Sequence, residues 1–297
     1  MRMIRAMRPD AAAWRAFFVQ LLRGSGIGSL GAGVIFFVAA NWQDYGLMGR
    51  FAILQVALAA CAGVALWRPP PSPVGQSLLV LAVLVTGALL ALFGQSYQTG
   101  ADVFELFFTW AALALPFALA GRSGAVWATW WTVLNAGMAL FCGLEQFSLL
   151  RFAWMGRLGL DRSELMFLAA LVNFAGAHTF MGRGPLWLAR VLAIYGFLFG
   201  TVACIVAVIQ NKELVVVLAF AVACGAIAWD TMRRRSDVFP MALICAAWIA
   251  ISTVFIGRHT HMRDIGSFFA LAIWLIATST ATGYLLMRWV REWRSPA

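Results

Sequence analysis

The stretch Gly94-Gln-Ser-Tyr-Gln-Thr-Gly-Ala-Asp-Val-Phe-Glu105 sets Gln95, Tyr97, Gln98, Asp102 and Glu105 between two long apolar runs, in a chain with only 12 acidic residues. A carboxylate pair at the mouth of a helix bundle can carry protons or bind a cation or an amine. Asp102, Glu105, Thr109, Ala112 and Pro116 follow steps of three and four, so they share one helix face. A proline that deep in a helix frees the carbonyl four residues back, here that of Ala112, and is expected to break the helix behind the carboxylates. A second polar turn, Asn41-Trp-Gln-Asp44, supplies two more groups. Asn41, Asp44, Gln95, Tyr97, Asp102 and Glu105, backed by Pro116, are the candidate ligand- or ion-binding residues. The competing reading is local: Asp-x-x-Glu directly before an apolar run spells a capping box, in which each side chain satisfies the other residue's backbone amide. The same spelling recurs at Asp161-Arg-Ser-Glu164, and two occurrences at two helix starts favour capping.

The elements that must position these groups are membrane spans. Hydrophobic residues make up 63% of the 297, charged residues only 11% against roughly 25% in soluble domains, and the mean hydropathy is +0.85. Uncharged runs of seventeen residues or more recur along the whole chain, each long enough to cross a bilayer as helix. The expected fold is all-α: a polytopic integral membrane bundle of about ten transmembrane helices. They fall at roughly 24–41, 49–67, 74–94, 103–120, 124–144, 165–182, 186–209, 213–229, 238–257 and 265–287. Ahead of them, residues 1–23 read as a basic amphipathic segment lying on the membrane surface, with Trp14, Phe17, Phe18, Leu21 and Leu22 at helical spacing. The chain then divides into a five-helix domain over 24–144, an interfacial loop over 145–164, and a second five-helix half over 165–297 with a basic tail.

The net charge of +10 follows topology rather than a nucleic-acid-binding face. With the N-terminus inside, fifteen of the 22 basic residues fall on inner segments and seven on outer loops, which gives N-in and C-in. Both polar turns then lie on the outer side. The five cysteines sit in five different apolar runs with no C-x-x-C pair, so neither a zinc site nor a disulfide framework is indicated, and they read as packing residues. His259-x-His261 lacks matching ligands for a metal site, and His178 reads as a packing histidine. Gly24, Gly28 and Ala32 form a small-x-x-x-small stripe for close helix packing, while the overlapping G-x-G-x-x-G lies inside a span and is no dinucleotide loop. No cofactor is implied.

Two further patterns organise the first half. The first two hairpins align as tandem copies offset by 54 residues, with Gly33 on Gly87, Asn41 on Gln95, Gly46 on Gly100, Ala57 on Ala111 and Arg68 on Arg122. The string Phe36-Phe-Val-Ala-Ala-Asn-Trp42, then Gly94-Gln-Ser-Tyr97, Gly100-Ala-Asp102 and Leu106-Phe-Phe-Thr-Trp110 up to Leu115-Pro116, resembles the bacterial membrane proteins of domain of unknown function 2157, over about residues 20–145. Many members carry a soluble stretch ahead of the first span, where this chain has the short Arg-rich segment. The resemblance implies a bacterial inner-membrane protein and no established activity.

Three function classes remain from the sequence. The first is a transporter-like or small-ligand-binding bundle opening to the outer side, whose partners would be the bilayer and a small solute or cation. The second is a non-transporting scaffold or accessory subunit with a membrane-protein partner. An intramembrane enzyme on a lipid-linked substrate is the weaker third, because no G-x-S-x-G, H-E-x-x-H or P-loop is present and no catalytic set can be assembled.

Overall fold

The computed structural model describes residues 11–40, 44–97, 100–143, 161–211, 213–235, 237–260 and 265–294, and every regular element among them is helical. Ten α-helices follow in chain order: α1 (Ala11–Ala40), α2 (Leu47–Trp67), α3 (Pro73–Tyr97), α4 (Val103–Gly121), α5 (Gly124–Phe141), α6 (Arg162–Arg183), α7 (Leu186–Gln210), α8 (Glu213–Asp230), α9 (Val238–His259) and α10 (Ile265–Arg294). A π-helical turn, Thr231–Arg235, closes α8. Among the described residues, eight helices, α2–α4 and α6–α10, are long and apolar enough to cross a membrane.

Helix ends are set by local chemistry. After α2, the Arg68 N–H closes on the Val64 carbonyl at 2.8 Å, and the prolines that follow cannot continue the ladder. After α7, Asn211 takes the left-handed conformation at φ 56°, and its N–H reaches the carbonyls of Ala207 and Val208. Between α4 and α5 the chain turns through Arg122 at φ 43°, and Ser123 Oγ accepts from the Ala125 N–H at 3.3 Å.

Two sequence expectations change here. The surface segment and the first span are one helix, unbroken across residue 23. Ser25 Oγ donates to the Leu22 carbonyl at 3.2 Å, and the five glycines spaced through α1 lower its stability without ending it. At thirty residues, α1 and α10 are each about 45 Å long, more than the roughly 30 Å hydrocarbon core requires. Secondly, α3 runs on to Tyr97, so Gln95 and Tyr97 are helical rather than in a loop. The Tyr97 ring packs on Phe93 one turn earlier (4.8 Å between centroids) and on Phe51 of α2 (6.2 Å), which extends the last turn.

The chain forms two compact units, one of residues 1–101 and 109–130, the other of 102–108 and 131–297. In the first, Ala65, Leu79, Val83, Ala114, Ala118 and Val126 make a buried core from α2 to α5. Trp110 is inserted against Gly87, where a Cβ would collide with the indole, and its Nε1 donates to the Val83 carbonyl at 2.6 Å. In the second, α7 is the central helix, with more than half of its apolar window buried. Phe220 of α8 is fully buried against Gly200 of α7, where no side chain would fit.

Candidate functional site

Asp102 is half-buried and stands at the N-cap position of α4: its carbonyl accepts from the N–H of Glu105 at 3.0 Å and of Leu106 at 3.4 Å. Glu105, also half-buried, lies in the first turn, where a carboxylate meets the positive end of the helix dipole. The twin motif is a formed capping box, with Glu164 accepting from the Asp161 N–H at 2.8 Å. Asp102 and Glu105 thus stand where the same spelling caps a helix.

The face behind them is not an interior one. Thr109, Ala112 and Pro116 are all exposed, while Ala111, Ala114 and Ala118 form the buried side of α4. The helix continues through Pro116 to Gly121 instead of breaking there, so a carbonyl freed at Ala112 lies on the outward surface. Sequence spacing identified a shared face correctly. Which way that face points depends on where Trp110, Ala114 and Ala118 find neighbours, and spacing alone does not carry that.

Of the remaining candidates, Asn41 lies outside the described residues, as do Gln98 and the 144–160 part of the expected interfacial loop. Asp44, Gln95 and Tyr97 are exposed members of the first unit, whereas Asp102 and Glu105 belong to the second. Gly24, Gly28 and Ala32 are exposed too, and no described atom lies within 4 Å of a Cβ placed at either glycine, so the stripe has no packing partner among the described residues. His178 is exposed rather than packed. His259 Nδ1 is engaged with the Phe255 carbonyl at 2.9 Å.

The polar chemistry inside the helices lies elsewhere. Asn135 of α5 and Asn173 of α6 face each other, 4% and 0% exposed. Asn135 Nδ2 donates to Asn173 Oδ1 at 3.1 Å, and Asn173 Nδ2 donates to Asn135 Oδ1 at 2.7 Å. Each also donates to the carbonyl one turn back on its own helix, Trp131 at 2.8 Å and Ala169 at 2.9 Å. In the first unit, Trp130 Nε1 donates to the Ala111 carbonyl at 2.7 Å, fastening α5 to α4 much as Trp110 fastens α4 to α3. Arg162 Nε donates to the Cys142 carbonyl at 2.9 Å and its Nη2 to that of Gly143, so the first residue of α6 satisfies carbonyls at the end of α5. At the other end, Arg190 of α7 pairs with Asp237, 3.2 Å, while Asp237 caps α9 through the Phe239 N–H at 3.0 Å. These fastenings were missed by sequence reasoning. The signal available was a lone amide in the middle of each of two apolar runs, since such a residue seeks a partner on another helix.

The arrangement is that of a helical membrane protein whose intramembrane polar groups mostly answer one another. Residues 4–127 match the family described as Predicted membrane protein (DUF2157), which bears out the resemblance expected over about 20–145 and covers somewhat under half of the chain. Searches of curated proteins and of solved structures return no match.

Proposed function

We propose that this chain is a non-transporting integral-membrane scaffold or accessory subunit. It sits in a bacterial inner membrane as about ten spans with both termini inside. The Asn135–Asn173 pair carries the reading: two side-chain amides buried within the second unit are consumed in mutual, fully satisfied hydrogen bonds. A transport path needs intramembrane polar groups left open to a solute or ion. The outward turn of the Thr109–Pro116 face and the uninterrupted α4 withdraw support from the transporter-like alternative, which keeps only Asp102 and Glu105, half-buried at a helix start. The topology is supported by the fifteen-to-seven bias of basic residues, and the bacterial inner membrane by the family resemblance.

The test uses single cysteines at positions 95, 97, 102 and 105 in a cysteine-free background, labelled with a membrane-impermeant thiol reagent in sealed vesicles. Labelling is expected to be indifferent to added cations, amines and small solutes. Solute-dependent protection at 102 and 105 would overturn the scaffold reading and restore the transporter-like one.

A further inference from the structure

The junction of α8 and α9 presents cationic groups set among exposed aromatic rings at one end of the second unit. Arg190 at the start of α7, Arg233 in the turn that closes α8 and Asp237 at the start of α9 lie there. Arg233 is exposed, its guanidinium sits 3.8 Å over the ring of Trp229, and among the described residues it has no ion-pair partner. Arg190 is fixed differently: Asp237 holds its Nη2 at 3.2 and 3.4 Å, and its guanidinium lies over the Phe239 ring at 5.2 Å. Its side chain nevertheless stays 42% exposed. Arg233 precedes Asp237 by four residues, a stretch that spans at most about 14 Å even when fully extended. Arg190 and Arg233 thus stand at the same end of the second unit, each on its own partner.

That region lies where apolar helix gives way to polar turn. Trp229 and Trp187 are 60% and 48% exposed, and an amphipathic indole on a span end prefers the depth of the headgroups. The lipid phosphate lies at the same depth. The π-helical turn anchors the arrangement, since Thr231 within it is 2% exposed while Arg233, two residues on, points out. Asp237 neutralises Arg190, accepting from it and from the Phe239 N–H, so of the two arginines it is Arg233 that has no ion-pair partner among the described residues.

We propose that Arg233 over Trp229 forms a binding site for the phosphate of an anionic lipid headgroup. Arg233 takes the phosphate oxygens, and Trp229 packs against the glycerol and upper acyl carbons. The proposal goes beyond the scaffold reading and does not depend on it.

Native mass spectrometry of the full chain, delipidated in detergent and offered equal phosphatidylglycerol and phosphatidylcholine, tests it. One phosphatidylglycerol per chain is expected to be retained preferentially. Arg233→Gln, a change at an exposed side chain, should cut that preference about fivefold, the effect of one basic residue near an anionic surface. Arg291→Gln makes the same charge change on the exposed end of α10 and should leave the preference intact. An unchanged preference in Arg233→Gln, or none in the unsubstituted protein, overturns the site. Displacement of the lipid by millimolar inorganic phosphate would also overturn it, by showing that free phosphate is the ligand.

Discussion

The Asn135–Asn173 pair makes a quantitative demand. Replacing Asn173 by Ala removes both interhelical bonds at once and leaves Asn135 Oδ1 without its donor at a position 4% exposed, though Asn135 Nδ2 keeps the Trp131 carbonyl. An unsatisfied buried polar atom costs about 1–3 kcal/mol. An interhelical hydrogen bond within a membrane averages about 0.6 kcal/mol in double-mutant cycles and reaches about 1.7. Two such bonds give an expected coupling of roughly 1–3 kcal/mol between Asn135→Ala and Asn173→Ala. The measurement is equilibrium unfolding by sodium dodecyl sulfate in mixed micelles for the four proteins of the cycle. A Leu pair at both positions should be less damaging than either single Ala, because it removes both polar groups and keeps a branched side chain of the same length. Additivity of the two Ala substitutions to within about 0.3–0.5 kcal/mol would refute the clasp, since that is the behaviour of independent sites.

Other outcomes follow from individual contacts. Gly87→Ala should destabilise by about 1–3 kcal/mol, because its Cβ has no room beside the Trp110 indole, whereas Gly33→Ala, with no neighbour within 4 Å among the described residues, should be neutral or stabilising by up to about 1 kcal/mol; thermal unfolding of both variants in detergent checks the contrast. Trp110→Phe should cost about 0.5–1.5 kcal/mol for the lost bond to the Val83 carbonyl, read from the same melts, and an unchanged midpoint would remove the indole from the fastening role. Glu164→Ala should cost about 1 kcal/mol by opening the capping box, measured as protection of the α6 N-terminal amides against hydrogen exchange; faster exchange confined to residues 161–165 is the expected pattern.

The spans were legible because their boundaries are written in residues that cannot continue a helix or enter lipid. The expected 186–209 became Leu186–Gln210 between Pro185 and Asn211, and 238–257 became Val238–His259 between Asp237 and Thr260. Boundaries without such residues were misread. Nothing between Arg23 and Gly28 stops a helix outright, so α1 is one piece, and Gly94-Gln95 did not end α3 because Tyr97 gains more by packing on Phe93 and Phe51. The site was the least legible part. Spacing puts Asp102, Glu105, Thr109, Ala112 and Pro116 on one face, but a helix face carries no mark of inside or outside when the outside is lipid and apolar residues suit both. The fastenings are tertiary: the partner of Asn135 is 38 residues away and that of Trp110 is 27, and no local pattern records either.

The tandem offset of the first half shows where layout and packing part company. Moved back by 54 residues, Val103–Gly121 covers 49–67, nearly coincident with Leu47–Trp67, and each of these helices is followed by an arginine, Arg68 and Arg122. The layout therefore repeats. The packing does not: the residue aligned with Trp110 is Val56, which is 67% exposed, and among the described residues nothing fills the space at Gly33 as Trp110 fills it at Gly87. A glycine that admits a tryptophan is a tight contact, and the same glycine without one is a smooth helix surface. In this chain the second copy spends its glycine internally, on holding α3 to α4. The first leaves Gly24, Gly28 and Gly33 without a neighbour among the described residues, a smooth surface against which another helix backbone could pack closely.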